Sequence, residues 1–278
     1  MIRNPLRRRA HGPDFASMLG DYEPPSFPMF ITQALDALAD PDSDMASIAT
    51  IVQQDPGASA RVLRVVNSAG FGLRSTATNV HQAAMLLGRN QLEALLISIG
   101  ARSVLPDPPA ENGFDQSRFW ATSSRRATLA SLIAARIDPT RQSENFTAAL
   151  LQDMGIPVLV SREARYGDVL AQWHAEDADL ATLEQEVFGW HHGEVAAWLG
   201  ERWDFPEHYL DLLRMHHAAT PASHLLPAQL VAPIREADAE GHHQVIAAAE
   251  AVGLAPDETV ALMDEAEERL AAMGSALV

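Results

Sequence analysis

Histidine is the residue type in this chain most ready for chemistry. Three adjacent pairs, His191-His192, His216-His217 and His242-His243, account for six of the eleven histidines. Imidazole suits transition metals, and a hydrolytic centre needs several nitrogen and oxygen donors converging on one point, with a position open for water. Consecutive helical side chains point about 100° apart, so at most one of each pair is expected to face a given site. A lone histidine is more often structural or surface-exposed than a ligand.

Other chemistries find less support. The chain has no cysteine, which removes disulfides, cysteine–zinc sites, iron–sulfur clusters and thiol nucleophiles. All 20 basic residues are arginine, so Schiff-base chemistry and the lysine of a phosphate loop are absent. No G-x-S-x-G elbow occurs, and "NSAGFG" follows a helix without a lysine. Residues 45–54 and 56–67 have the lengths of a helix-turn-helix, with Arg61 and Arg64 on its second helix. Core packing accounts better for that pair, because a net charge of −17 repels nucleic acid and anionic membranes.

These residues must be positioned by helices. Hydrophobic residues make up 47% of the 278 positions, aromatics only 6%, and no segment alternates like a strand. The expected fold is all-α and two-lobed. "MFITQALDALAD" stops at Pro41, Asp44 caps the next helix, and Asp55 with Pro56 starts a third. "VHQAAMLLG" and "NQLEALLISIGARSVL" read as two helices parted by Gly88. "PDPPAENGFD" at 106–115 is a proline-rich linker.

Beyond that linker lie "SRFWATSSRRATLASLIAARI" and "ENFTAALLQDMG", the latter ended by Gly155. Three more helices follow, broken at Gly189 and at Phe205-Pro206. The domain reading is a flexible basic tail at 1–22 carrying Arg3, Arg7, Arg8 and Arg9, lobes at 23–105 and 116–219, and a C-terminal helical extension at 220–278. In that extension Glu265, Glu267 and Glu268 read as the polar face of a solvated cap. No apolar run reaches the roughly 18 residues needed to cross a bilayer, so a cytoplasmic protein without membrane insertion is expected.

Ordered motifs over roughly 23–219 resemble the HDOD family, the HD-related output domain of bacterial signal transduction. In the first lobe they are "PPSFP", a D-P…L-R-x-x-N-S stretch (Asp55, Pro56, Arg64, Asn67, Ser68) and an A-x-x-x-L-G helix ending at Gly88. In the second they are "FWATSSRRA", "AALLQDMG" and "FGWHHGEVAAWLGERWDFPEHY", which includes Trp203 and Pro206. The resemblance implies an HD-like second lobe related to metal-dependent phosphohydrolases. Those enzymes bind metal through a histidine, a His-Asp pair and a later aspartate.

Carried onto this chain, the first histidine falls on Thr122, and the pair falls on Gln152 and Asp153. His192 is retained, with His216 or His217 further along, and the closing aspartate falls on Gln229 or Ala228. Amide and hydroxyl oxygens are weak donors toward transition metals. The pocket of Thr122, Gln152, Asp153, His192, His216 and His217 is therefore expected to be vestigial. No catalytic residue and no cofactor are expected, and Asp153 and His192 are only weak metal candidates. The implied function is a non-catalytic scaffold that meets a protein partner or a small ligand in a groove near Asn67, Ser68, Asp153 and His192. A phosphohydrolase with an unusual ligand set is the alternative, ahead of a nucleic-acid binder.

Overall fold

Aspartate and proline set where the first helices begin. The computed structural model describes residues 15, 18–67, 76–108, 113–175, 178–218, 226–235 and 239–273, and among these there are helices and turns but no strand. The tail's Arg3, Arg7, Arg8 and Arg9 lie outside the described residues, as does Ser68, whereas Phe15 and Leu19 near the end of the 1–22 stretch are buried, Phe15 edge-on to Trp190, and so do not belong to a flexible tail. Helix α1 spans Met29–Ala39 and α2 spans Met45–Gln53, where the Asp44 carboxylate accepts from Ser47 N–H at 2.7 Å. Helix α3, Pro56–Val66, has Pro56 in its first turn, and Asp55 accepts from Ala58 N–H at 2.8 Å. Both side chains satisfy amides that the helix geometry leaves without partners.

Helix α4, Val80–Val104, runs through the middle of the molecule. Gly88 breaks it with φ 69° and ψ −178°, a region open essentially to glycine alone. The second arm is buried almost all round, through residues such as Leu92, Leu96 and Ile97. The helix as a whole packs against α1, α2, α3 and α6 (Gln142–Leu151). Thr147 donates to the Ala94 carbonyl at 3.1 Å across that junction.

Several residues of the HDOD-like motifs build this frame. Asn67 pairs with the Ala77 backbone through both ends of its amide, at 2.8 and 2.7 Å, and so closes the loop between α3 and α4. Arg64 lies exposed in the last turn of α3.

The second lobe is built on α5 (Gln116–Ile137) packed against α6. Around them stand α7 (Gly155–Arg162), α8 (Tyr166–Ala175), α9 (Leu180–Phe188), α10 (His192–Arg202) and α11 (Glu207–Met215). Gly189 ends α9 at φ 79°, as its position in the sequence suggests. Gly155 does not end a helix in that way. It begins α7, and its lack of a side chain lets α7 approach the His192 carbonyl, which a Cβ would strike. Trp203, at the C-terminal cap of α10, donates to the Pro25 carbonyl at 3.0 Å and packs on Phe27, so α10 reaches the first lobe. Pro206 precedes α11 as its N-cap.

The extension comprises α12 (Leu226–Leu230), α13 (Ala239–Ala251) and α14 (Pro256–Met273). Helix α14 lies on α5, and its acidic face is not simply solvated. Glu267 takes Arg125 at 2.5 and 3.2 Å, and Glu265 pairs with Arg269. No described helix is long and apolar enough to cross a membrane.

The kink gives a direct test. Gly88→Ala should lower stability by about 1–3 kcal/mol in urea unfolding, because the backbone there excludes a Cβ. Asn90→Ala, exposed two residues on, should stay within about 0.5 kcal/mol of the parent.

Candidate functional site

Four helix ends meet at one point of the second lobe. The turn between α6 and α7 carries Gln152 and Asp153, and His192 is the first residue of α10. His216 and His217 follow the last residue of α11. Two glycines make the convergence possible. Gly155 lets α7 touch the start of α10, and a Cβ at Gly193 would sit 2.5 Å from the Leu213 carbonyl at the end of α11.

Each of the three histidines is held through Nδ1 and aims Nε2 inward. His192 Nδ1 lies 2.7 Å from Glu184 Oε2, His216 Nδ1 3.0 Å from the Leu213 carbonyl, and His217 Nδ1 3.1 Å from Asp179 Oδ1. Those partners are acceptors, so each Nδ1 carries the hydrogen and each Nε2 is left to the cluster. His192 Nε2 is 3.1 Å from Nε2 of both His216 and His217. Asp153 Oδ1 is 3.4 Å from His192 Nε2 and 3.3 Å from His216 Nε2. The four ligand atoms lie within 4.8 Å of one another.

The other oxygen of Asp153 is taken. Arg126, buried on α5, places Nη1 against Asp153 Oδ2 and donates from Nε to the Ile234 carbonyl at 2.8 Å. With its amide turned to satisfy both ends, Gln152 accepts from Arg126 Nη1 at 3.1 Å and donates to the Ala228 carbonyl at 3.1 Å. Gln152 therefore serves Arg126 and does not join the histidines.

Charge follows geometry. Burial pushes Asp153 up, but Arg126, His192 and His216 outweigh it and hold the carboxyl well below its usual range. Burial opposes the charge on His192, yet Glu184 and Asp153 raise it to about 10. Burial, with neighbouring His217 and His192, pushes His216 down to about 3. Glu184 is wholly buried and also accepts from His192 N–H at 2.8 Å and from the Tyr166 hydroxyl. His191 stands apart as the N-cap of α10, its Nδ1 accepting from Gly193 N–H at 3.1 Å.

A cavity of about 340 Å³ opens beside the cluster, lined by Arg126, Asp179, Trp173, Gln229 and Arg235 among others. Gln229 donates to the Met215 carbonyl at 2.9 Å, and the Ala228 carbonyl takes the Gln152 amide at 3.1 Å. Thr122 lines a smaller neighbouring cavity of about 90 Å³ with Arg118 and Phe119. His242 and His243 lie on α13 beside a separate groove. The groove expected between the lobes is not what surrounds Asp153, since the cavity walls belong to the second lobe and the extension.

The sequence reading brought Asp153, Gln152 and His192 to this point and left His216 and His217 as alternatives, whereas both arrive. The 100° argument holds for a site beside a helix, and this one lies off the end of α11. Arg126, Glu184, Tyr166 and Asp179 were missed. Glu184 left a trace, standing at four-residue spacing between Leu180 and Phe188 on the buried stripe of α9.

The family model for the HDOD domain matches residues 25–219, and the chain belongs to that family. A protein of Treponema pallidum (strain Nichols) without an assigned role is 26% identical over 198 residues, 69% of this chain and 37% of that protein. The chain thus spans little more than a third of that relative. Among solved structures, a Shewanella amazonensis SB2B protein provisionally described as a phosphohydrolase superposes with TM-score 0.74 at 22% identity, covering 96% of this chain and 99% of the other. An HDOD domain protein of unknown function from Geobacter sulfurreducens gives 0.71 at 22%, covering 95% and 97%. A Marinobacter aquaeolei VT8 protein provisionally described as a signal transduction protein gives 0.68 at 18%, covering 94% and 63%. These likenesses establish the helical HD-like fold.

The buried carboxylate of Glu184 should be costly to remove. Glu184→Ala strands His192 and the Tyr166 hydroxyl, and should cost about 3–5 kcal/mol in urea unfolding. Glu184→Gln, whose amide oxygen can still accept from His192 while its NH2 turns to the Tyr166 hydroxyl oxygen, should cost clearly less.

Proposed function

We propose that this chain is a non-catalytic signal-transduction domain, acting through protein contacts that respond to the state of the pocket around Asp153. The observation that carries this reading is the Arg126–Asp153 pair, backed by Gln152. A two-metal hydrolytic centre needs its carboxylate shared between cations that clamp the attacking and leaving oxygens. Here a guanidinium with a permanent charge holds one of those oxygens and is itself anchored to Ile234. It can neither bind water as a metal does nor lower the pKa of that water.

The frame supports transmission. Helix α10 is 11 residues long, about 16 Å at 1.5 Å per residue. It carries His192 at one end, and Trp203 follows at the other, bonded to Pro25 of the first lobe. A change at the pocket that shifts α10 would therefore be felt where the lobes join. Membership of a family of signalling output domains, and the signal-transduction description of the Marinobacter aquaeolei neighbour, agree with this role.

The phosphohydrolase alternative draws on the four converging donors and on the description of the Shewanella amazonensis neighbour. The nucleic-acid alternative rests on Arg61 and Arg64, and Arg61 folds back onto the Gly57 carbonyl of its own helix at 3.3 Å.

Turnover separates the readings. Purified protein supplied in turn with Mn²⁺, Fe²⁺, Co²⁺ and Zn²⁺ should release no nitrophenol from bis-nitrophenyl phosphate or nitrophenyl phosphate above the metal-only blank. Hydrolysis that disappears in Asp153→Ala would overturn the non-catalytic reading.

A further inference from the structure

Three imidazole nitrogens and a carboxylate oxygen around one point form an arrangement that protons cannot satisfy. Every Nδ1 is committed to an acceptor, so the inward atoms of His216 and His217 are lone pairs directed at His192. A proton on His192 Nε2 can be given to one neighbour only, while three acceptors stand 3.1–3.4 Å away. The remaining contacts would set lone pair against lone pair, which a cation at the centre removes.

The spacing also fits a cation. Four donors held about 2.0–2.1 Å from a central ion in a tetrahedron are about 3.3 Å apart. Four of the six edges of this cluster are 3.1, 3.1, 3.3 and 3.4 Å, and the remaining two, which a bound ion would draw in, stay within 4.8 Å. Charge points the same way. Three carboxylates, Asp153, Glu184 and Asp179, touch the histidines or belong to the cluster, against the single guanidinium of Arg126. With the imidazoles neutral, as ligands must be, the formal balance is −2, which one divalent ion cancels in place of the proton on His192. Glu184, Asp179 and the Leu213 carbonyl supply the outer partners that fix ring orientation in metal–histidine sites.

We propose that His192, His216, His217 and Asp153, through Oδ1 alone, bind a single divalent transition-metal ion. This goes beyond the non-catalytic reading and does not depend on it. With Asp153 Oδ2 held by Arg126, the carboxylate has no oxygen left to bridge to a second ion, so the site is mononuclear. Three nitrogens and one oxygen favour Zn²⁺, Co²⁺ or Ni²⁺ over Mg²⁺ or Ca²⁺. Four protein ligands close a tetrahedron around zinc, in the manner of a structural or regulatory site. Such an ion would tie the ends of α7, α10 and α11 together, which the histidine and aspartate contacts now do.

The test uses the full chain without a histidine tag. Chelator-stripped protein is titrated with Zn²⁺ and with Co²⁺, reading stoichiometry by elemental analysis, affinity by calorimetry and cobalt ligand-field absorption. The expected result is one ion per chain, with the absorption intensity of four-coordinate cobalt. His217→Ala should lose far more than 100-fold in affinity. Asp179→Asn, which only loosens the His217 ring, should lose about 10–100-fold. The double variant His242→Ala/His243→Ala should bind as the parent does. Absence of binding in the folded parent would overturn the proposal, as would two ions per chain, or an affinity unchanged by His217→Ala or lost in the α13 double variant. Because none of these readouts is turnover, metal binding and hydrolysis succeed or fail separately.

Discussion

The negative charge of Asp153 is the constraint around which the second lobe is arranged. A carboxylate so nearly buried must be matched by positive charge or hydrogen bonds. Two different neighbours share that task, with Arg126 on one oxygen and His192 and His216 on the other. The division separates two environments within one pocket. The arginine side is anchored to Ile234 and Gln152, and the histidine side is anchored to Glu184, Asp179 and Leu213. The pocket is thus asymmetric: a fixed organic cation stands at one end and a ring of nitrogen donors at the other.

Holding that asymmetry takes close backbone approaches more than large side chains. Gly155 and Gly193 let α7, α10 and α11 bring their ends together, and the capping box of His191 and Glu194 fixes the start of α10. Farther out, Trp203 and Phe27 join that helix to the first lobe, and Glu267 ties α14 to Arg125 on α5. The residues that carried the resemblance in the sequence, Asp55, Pro56, Asn67, Gly88 and Trp203, act in this frame and not in the pocket.

Much of the frame was legible because its signals are local. Asp44, Asp55, Gly88 and Gly189 act within a few residues of themselves, and their roles followed from type and position. Helix α7 was harder, since Gly155–Val160 is buried on every side and shows no polar face to give it a period. In the pocket, the resemblance to HD-type enzymes set Thr122 and Gln152 at positions where those enzymes carry imidazole. It did not show that Arg126 stands on Asp153. Arg126 is one of two adjacent arginines on α5, and only the fold reveals that Arg126 turns inward while Arg125 turns to α14. His216 and His217 met a rule about helix faces that stops applying where α11 ends.

A crystal structure of zinc-loaded protein, with anomalous scattering recorded on both sides of the zinc edge, addresses the central claim most directly. The account requires one anomalous peak enclosed by His192, His216, His217 and Asp153 Oδ1, with Arg126 still on Asp153 Oδ2. Two peaks bridged by Asp153, with Arg126 swung away, would contradict it.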